Sequence, residues 1–117
     1  MSRLDKVNEL MKREIGTMLL EDVRDPRLEF VTITRVSVSP DLHNAYVNFS
    51  VLGDAKKILA AEDALSRARG FIRKLVGQRV RLRYTPDIEF IFDPSVTDSD
   101  RIERIIDEIH KTEESKP

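Results

Sequence analysis

Apolar residues recur along this chain in two periods, and the switches between them mark its elements. Leu4, Val7, Met11, Ile15 and Met18 follow one another at three- and four-residue steps, the signature of a single helix face. Ser2 stands ahead of them with Asp5 three residues on, a capping-box-like start. This first helix is expected to end near Glu21, before Asp25-Pro26-Arg27, because the residue preceding a proline is pushed out of the α region. Phe30 to Val38 is rich in Val, Ile and Thr and reads as a strand whose alternation changes phase between Ile33 and Val36, which predicts a bulge or burial on both faces. Ala45, Val47, Phe49 and Val51 alternate with Tyr46, Asn48 and Ser50 in a second strand. Ser39-Pro40-Asp41 makes the turn, so a hairpin with a connection of about five residues is expected.

From Asp54, a good N-cap, the period returns to that of a helix: Ile58, Ala61, Leu65, Ala68, Ile72 and Leu75 share a stripe. Periodicity draws one helix to Val76, with Gly77 as its C-terminal cap. Gly70 interrupts it, at a cost of about 1 kcal/mol relative to Ala in a helix interior, and predicts a bend there. Val80 to Phe92 reads as a third extended segment, with a break at Pro86 and alternation of Ile88, Phe90 and Phe92 after it. Thr97 and Asp98 are placed to cap a last helix, on which Ile102, Ile105, Ile106 and Ile109 form an apolar face. Residues 112–117 are polar and are expected to form a frayed, disordered tail. The predicted order is α-β-β-α-α-β-α in one α+β domain spanning residues 1–111.

Composition narrows the chemistry. A chain of 117 residues can bury one core without disulfides, and the absence of Cys removes thiolate metal sites and cysteine nucleophiles. No apolar run approaches the roughly 20 residues of a membrane span, and the start lacks the apolar core of a signal peptide, so a cytoplasmic protein is expected. Charged residues are abundant and side-chain amides few, a balance that leans towards a heat-adapted source. His43, in the hairpin turn, and His110, near the end of the last helix, have no second ligand nearby in sequence. Gly16, Gly53, Gly70 and Gly77 compose no phosphate loop, and no serine has a nucleophile-elbow context. No cofactor, metal or catalytic residue is indicated.

Charge distribution does more. Arg67–Arg83 holds seven of the chain's 20 basic residues and none of its 21 acidic ones, leaving 13 basic against 21 acidic elsewhere. A solvated face normally mixes signs. An acid-free run spanning a helix end and the following segment, and richer in Arg than Lys, suits phosphate contact. The candidate RNA-binding residues are Arg67, Arg69, Gly70, Arg73, Lys74, Arg79, Arg81 and Arg83, with Lys12 and Arg13 as extensions on the first helix. Tyr84 could stack on a base or be buried as a strand tyrosine. Gly70 suits either close packing or close backbone approach to phosphate.

Arg13-Glu14-Ile15, Asp25-Pro26-Arg27-Leu28, Val36-Ser37-Val38-Ser39-Pro40-Asp41-Leu42, Ser50-Val51-Leu52-Gly53, Ala68-Arg69-Gly70-Phe71-Ile72-Arg73, Leu82-Arg83 and Pro86-Asp87-Ile88-Glu89-Phe90 occur in this order. Together with Asp93 and Arg101-Ile102, they resemble the bacterial ribosome-binding factor A family over nearly the whole chain. The resemblance implies a type II KH-like fold, α-β-β-α-α-β plus a C-terminal helix, in which Ala68-Arg69-Gly70 is an interhelical kink. It implies a cytoplasmic, non-enzymatic factor, monomeric when free. Its partners would be the small (30S) ribosomal subunit and 16S rRNA, whose late maturation and 5′-end processing it assists, above all in the cold. Two other classes stand beside this: a small RNA-processing hydrolase using clustered carboxylates and Mg²⁺, and a protein-binding adaptor.

Overall fold

The first helix starts where its cap chemistry dictates. The Ser2 hydroxyl accepts from the Asp5 amide at 3.1 Å while the Asp5 carboxylate accepts from the Ser2 amide at 3.2 Å, so two otherwise orphaned donors are satisfied. Helix α1 runs Arg3–Met18 and buries Met11, Ile15 and Met18. It then widens into a π-helical turn, Leu19–Val23, ended by Arg24 in the left-handed region at φ 53°. Asp25 caps a short 3₁₀ turn, Pro26–Leu28, that delivers Leu28 to the core.

The computed structural model describes residues 1–94; the expected last helix, the tail after it and the boundary at 111 lie outside the described residues. Strands β1 (Val31–Val38) and β2 (Asn44–Val51) pair antiparallel across a five-residue turn, 39–43. Ile33 faces Phe49 and Arg35 faces Asn48, so Thr34 is the extra residue of a bulge. The bulge explains the change of phase: Ile33 before it and Val36 and Val38 after it are all buried on the same side. Helix α2 (Ala55–Arg79), capped by Asp54, crosses from β2 to β3 (Asp87–Phe92), which pairs parallel to β2. The sheet order is β1-β2-β3.

Both helices cover the same sheet face, α1 against β1 and α2 against β3, and the core lies between these two layers. Phe49, at its centre, meets Phe90 and Phe92 edge-on at 6.5 and 5.8 Å. Tyr46, Asn48 and Ile91 occupy the alternate positions and face away from α1 and α2.

Three expectations are corrected. The helical stripe is not divided into two helices at Ala68-Arg69-Gly70: α2 is one continuous helix of 25 residues. Packing overrides the weak propensity of Gly70, because Leu65 on one side of it and Ile72, Leu75 and Val76 on the other are buried in the same core. Gly77 is not the cap either. The helix continues to Arg79 with Val80 as its C-cap, and a Cβ on Gly77 would stand 3.0 Å from Thr85 Oγ1, so the glycine serves close packing against the loop. Finally, Val80 does not open a strand. Asp87 pairs with the first residue of β2, and its amide donates to His43 O at 2.9 Å, so residues 81–86 have no ladder to join.

Candidate nucleic-acid interface

The basic residues of the 67–83 run are distributed by the geometry of α2 and of the loop that follows it. On a helix surface a residue's neighbours lie three and four positions away. For Gly70 these are Ser66, Arg67, Arg73 and Lys74, so three of four are cationic. Nothing outside the helix lies within 4 Å of where a Gly70 Cβ would be. Bare helix backbone is thus presented to solvent inside a ring of positive charge. Arg69 and Arg73 face the β3 side, where they border a groove with Gly70, Asn44, Asp87 and Glu89.

Acid-free in sequence does not mean acid-free in space. Arg73 Nε lies 3.2 Å from Asp87, and its Nη2 donates to Thr85 O at 3.1 Å, an anchor that ties the side chain to the start of β3. Arg67 pairs with Asp63 at 3.0 Å. Arg79 is bound by both guanidinium nitrogens to Asp22 at 2.7 and 2.8 Å, tying the end of α2 to the π-helical turn. That hydrogen bonding holds the Asp22 carboxyl below its usual range and raises the guanidinium pKa. Among the described residues, Arg69, Lys74, Arg81 and Arg83 form no such ion pair and keep their charge available. Exposed pairs such as Arg67–Asp63 contribute little stability.

Two further groups of candidates sit elsewhere. Arg81 and Arg83 border a groove with Arg3, Leu4, Val7, Pro40, Leu42 and Leu82, where the hairpin turn meets the start of α1. Tyr84 is exposed there and stacks on His43, with ring centroids 4.6 Å apart, while the Arg83 guanidinium lies 5.5 Å from its ring. Lys12 and Arg13 line a different groove, between α1 and β1, with Leu19, Leu20 and Leu28 on its apolar side. The sequence does not single out Arg3, and it offers His43 only as an isolated metal or catalytic candidate. Both reach the interface only through tertiary contacts, and no local pattern marks them.

Arg27 links two carboxylates to the chain around α2. Asp25 takes its main hydrogen bonds from Arg27, and Asp63 takes its own from Arg27 and Arg67, which lowers both pKa values. Among the described residues no group of His, Asp or Glu is placed to hold a metal ion, and no helix is long and apolar enough to cross a membrane.

Residues 3–106 match the family description "Ribosome-binding factor A". The fold is similar to the crystal structure of ribosome-binding factor A from Thermus thermophilus, with TM-score 0.68 and 27% identity over 77% of this chain and 96% of that one. A solution structure of a putative ribosome binding factor A from Thermotoga maritima matches at TM-score 0.59 and 36% identity, covering 73% of this chain and 85% of that one. Coordinates of the Thermus thermophilus factor fitted into a map of its complex with the 30S subunit match at TM-score 0.61 and 27% identity, covering 76% and 93%. The matched span, nearly the whole chain, and the shared fold establish that this chain belongs to the ribosome-binding factor A family.

Proposed function

We propose that this chain is a non-enzymatic assembly factor that binds the small ribosomal subunit through 16S rRNA. On this reading it assists late maturation and 5′-end processing of that RNA, chiefly in the cold, and acts as a cytoplasmic monomer. The observation that carries the reading is the bare helix surface at Gly70, ringed by Arg67, Arg73 and Lys74 and open to the approach of a phosphate backbone. Arg69 extends this surface towards β3. Arg81 and Arg83 extend it beyond the helix, with Lys12 and Arg13 as outlying contacts. Arg79 contributes less, because its fork is already filled by Asp22. Ala68, Arg69 and Gly70 lie within one continuous helix, so they act by position along α2. Support for the partner comes by analogy from the Thermus thermophilus relative fitted into its 30S complex.

The factor acts by positioning RNA, not by cutting it. Asp22, Asp25, Asp63 and Asp87 are engaged by guanidinium groups and make poor ligands for a catalytic Mg²⁺. The test is sedimentation of the purified protein with isolated small and large subunits, beside incubation with precursor rRNA and Mg²⁺. Co-migration with small subunits alone, and uncut RNA, are expected. Cleavage of purified RNA, or equal association with both subunits, would overturn the proposal.

A further inference from the structure

The loop that follows α2 carries a feature that phosphate binding alone does not use. Tyr84 and His43 come from different parts of the chain, the α2–β3 loop and the hairpin turn, and meet as a stacked pair at 4.6 Å with 29° between their planes. Tyr84 is 43% exposed, and His43 is exposed as well. An exposed aromatic face can stack on an unpaired base.

The rigidity has visible causes. The Asp87 amide donates to His43 O at 2.9 Å, joining the two loops. Within the turn, the Ser39 hydroxyl donates to Asp41 at 2.6 Å, and the His43 amide donates to the same carboxylate oxygen at 3.1 Å. The nearest turn carboxylate, Asp41, is therefore occupied, and its pKa is lowered chiefly by the Ser39 hydrogen bond. Leu42 sits in the left-handed region at φ 65°, a conformation that L residues seldom adopt without support. Arg83 and Leu42, the chain neighbours of Tyr84 and His43, border with Arg3 and Arg81 a groove of about 620 Å³, a size common among small-ligand sites.

We infer that this end of the domain is a base-stacking site for an unpaired nucleotide of single-stranded RNA, with Tyr84 and His43 as the platform and Arg3 and Arg81 on the flanking phosphates. The inference rests on the RNA-binding reading and adds to it a preference for unstacked bases. Stacking accepts any base because every base has a π-face, whereas arginines beside it fix the backbone. A platform at one end and the Gly70 surface along the helix divide the work: the first takes a base, the second takes backbone.

The chain has two tyrosines and no tryptophan, so in a Tyr46→Phe variant the fluorescence of Tyr84 is the only aromatic emission of that class. Octaadenylate and an abasic octamer of equal charge are the probes. Quenching of Tyr84 by octaadenylate but not by the abasic strand is expected. Tyr84→Leu should lower octaadenylate affinity about ten-fold and leave the abasic strand unaffected. Arg81→Ala should weaken both strands alike. A pair that merely clipped two loops together would shift the melting temperature without separating the two probes. Equal binding and equal quenching by both strands would overturn the stacking site while sparing the charged surface. Failure of both strands to bind at low salt would overturn the RNA reading at this end altogether.

Discussion

Replacing Gly70 by alanine should make the protein more stable and a poorer ribosome binder. The residue lies nine positions before the last residue of α2, well inside the helix, so the full propensity difference applies. That difference is about 0.5–1 kcal/mol in favour of alanine. No opposing contact exists, since the added Cβ meets nothing within 4 Å beyond the helix itself. For a domain of this size the gain corresponds to a rise in melting temperature of roughly 2–4 °C. The same methyl group stands between Arg67, Arg73 and Lys74, where the proposed RNA backbone approaches most closely. Thermal melting by circular dichroism, paired with small-subunit sedimentation, measures both sides of this trade. A lower melting temperature would refute the reasoning about open space. A higher one with unchanged subunit affinity would remove Gly70 from the contact surface.

Gly77→Ala should do the reverse to stability. Its Cβ would press on Thr85 at 3.0 Å, and overpacking of roughly 1–3 kcal/mol outweighs the helix-propensity gain; melting of Gly77→Ala with and without Thr85→Ala checks this, with rescue expected in the double variant. Subunit affinity should fall with salt at a log–log slope on the order of −4 for about five phosphate contacts, and a flat response in a salt series would exclude a phosphate surface. Stability should also decline in acid. Asp22, Asp25, Asp41 and Asp63 all have folded-state pKa values below the ordinary one, so their stabilisation is present above the unfolded pKa of about 3.9 and is lost as pH falls through the folded values. Melting from pH 7 down to about 2.5 should show this loss, and Asp22→Asn should flatten it.

Local signals in the sequence carried the local structure. Ser2 with Asp5 set the first helix start, the phase change after Ile33 marked the bulge at Thr34, and Ser39-Pro40-Asp41 gave the turn its length. What escaped was decided across the chain. Gly70 and Gly77 look like breaks until Ile72, Leu75 and Val76 are seen holding the helix to the sheet. Residues 81–86 look extended, but the partner strand has already turned away at His43. Arg79 and Asp22, 57 positions apart, make the basic run less free than its composition suggests. The stacked pair of Tyr84 and His43 depends on two loops meeting, and neither residue has a sequence context that announces the other.

Lys74 and Arg35 offer the most direct comparison for a localised RNA surface. Both are exposed, and neither forms an ion pair among the described residues. Lys74 adjoins Gly70 on α2, whereas Arg35 is exposed on β1, at the opposite edge of the sheet from β3, where it borders a groove with Asp5, Glu9 and Lys12 of α1. Reversal of either to Glu changes net charge equally and, being on the surface, should alter stability by no more than about 0.5 kcal/mol. With both variants shown folded by circular dichroism, sedimentation with small subunits should find Lys74→Glu weakened about ten-fold or more and Arg35→Glu within about three-fold of the parent. Equal losses would mean that subunits respond only to total charge, and that α2 presents no dedicated surface.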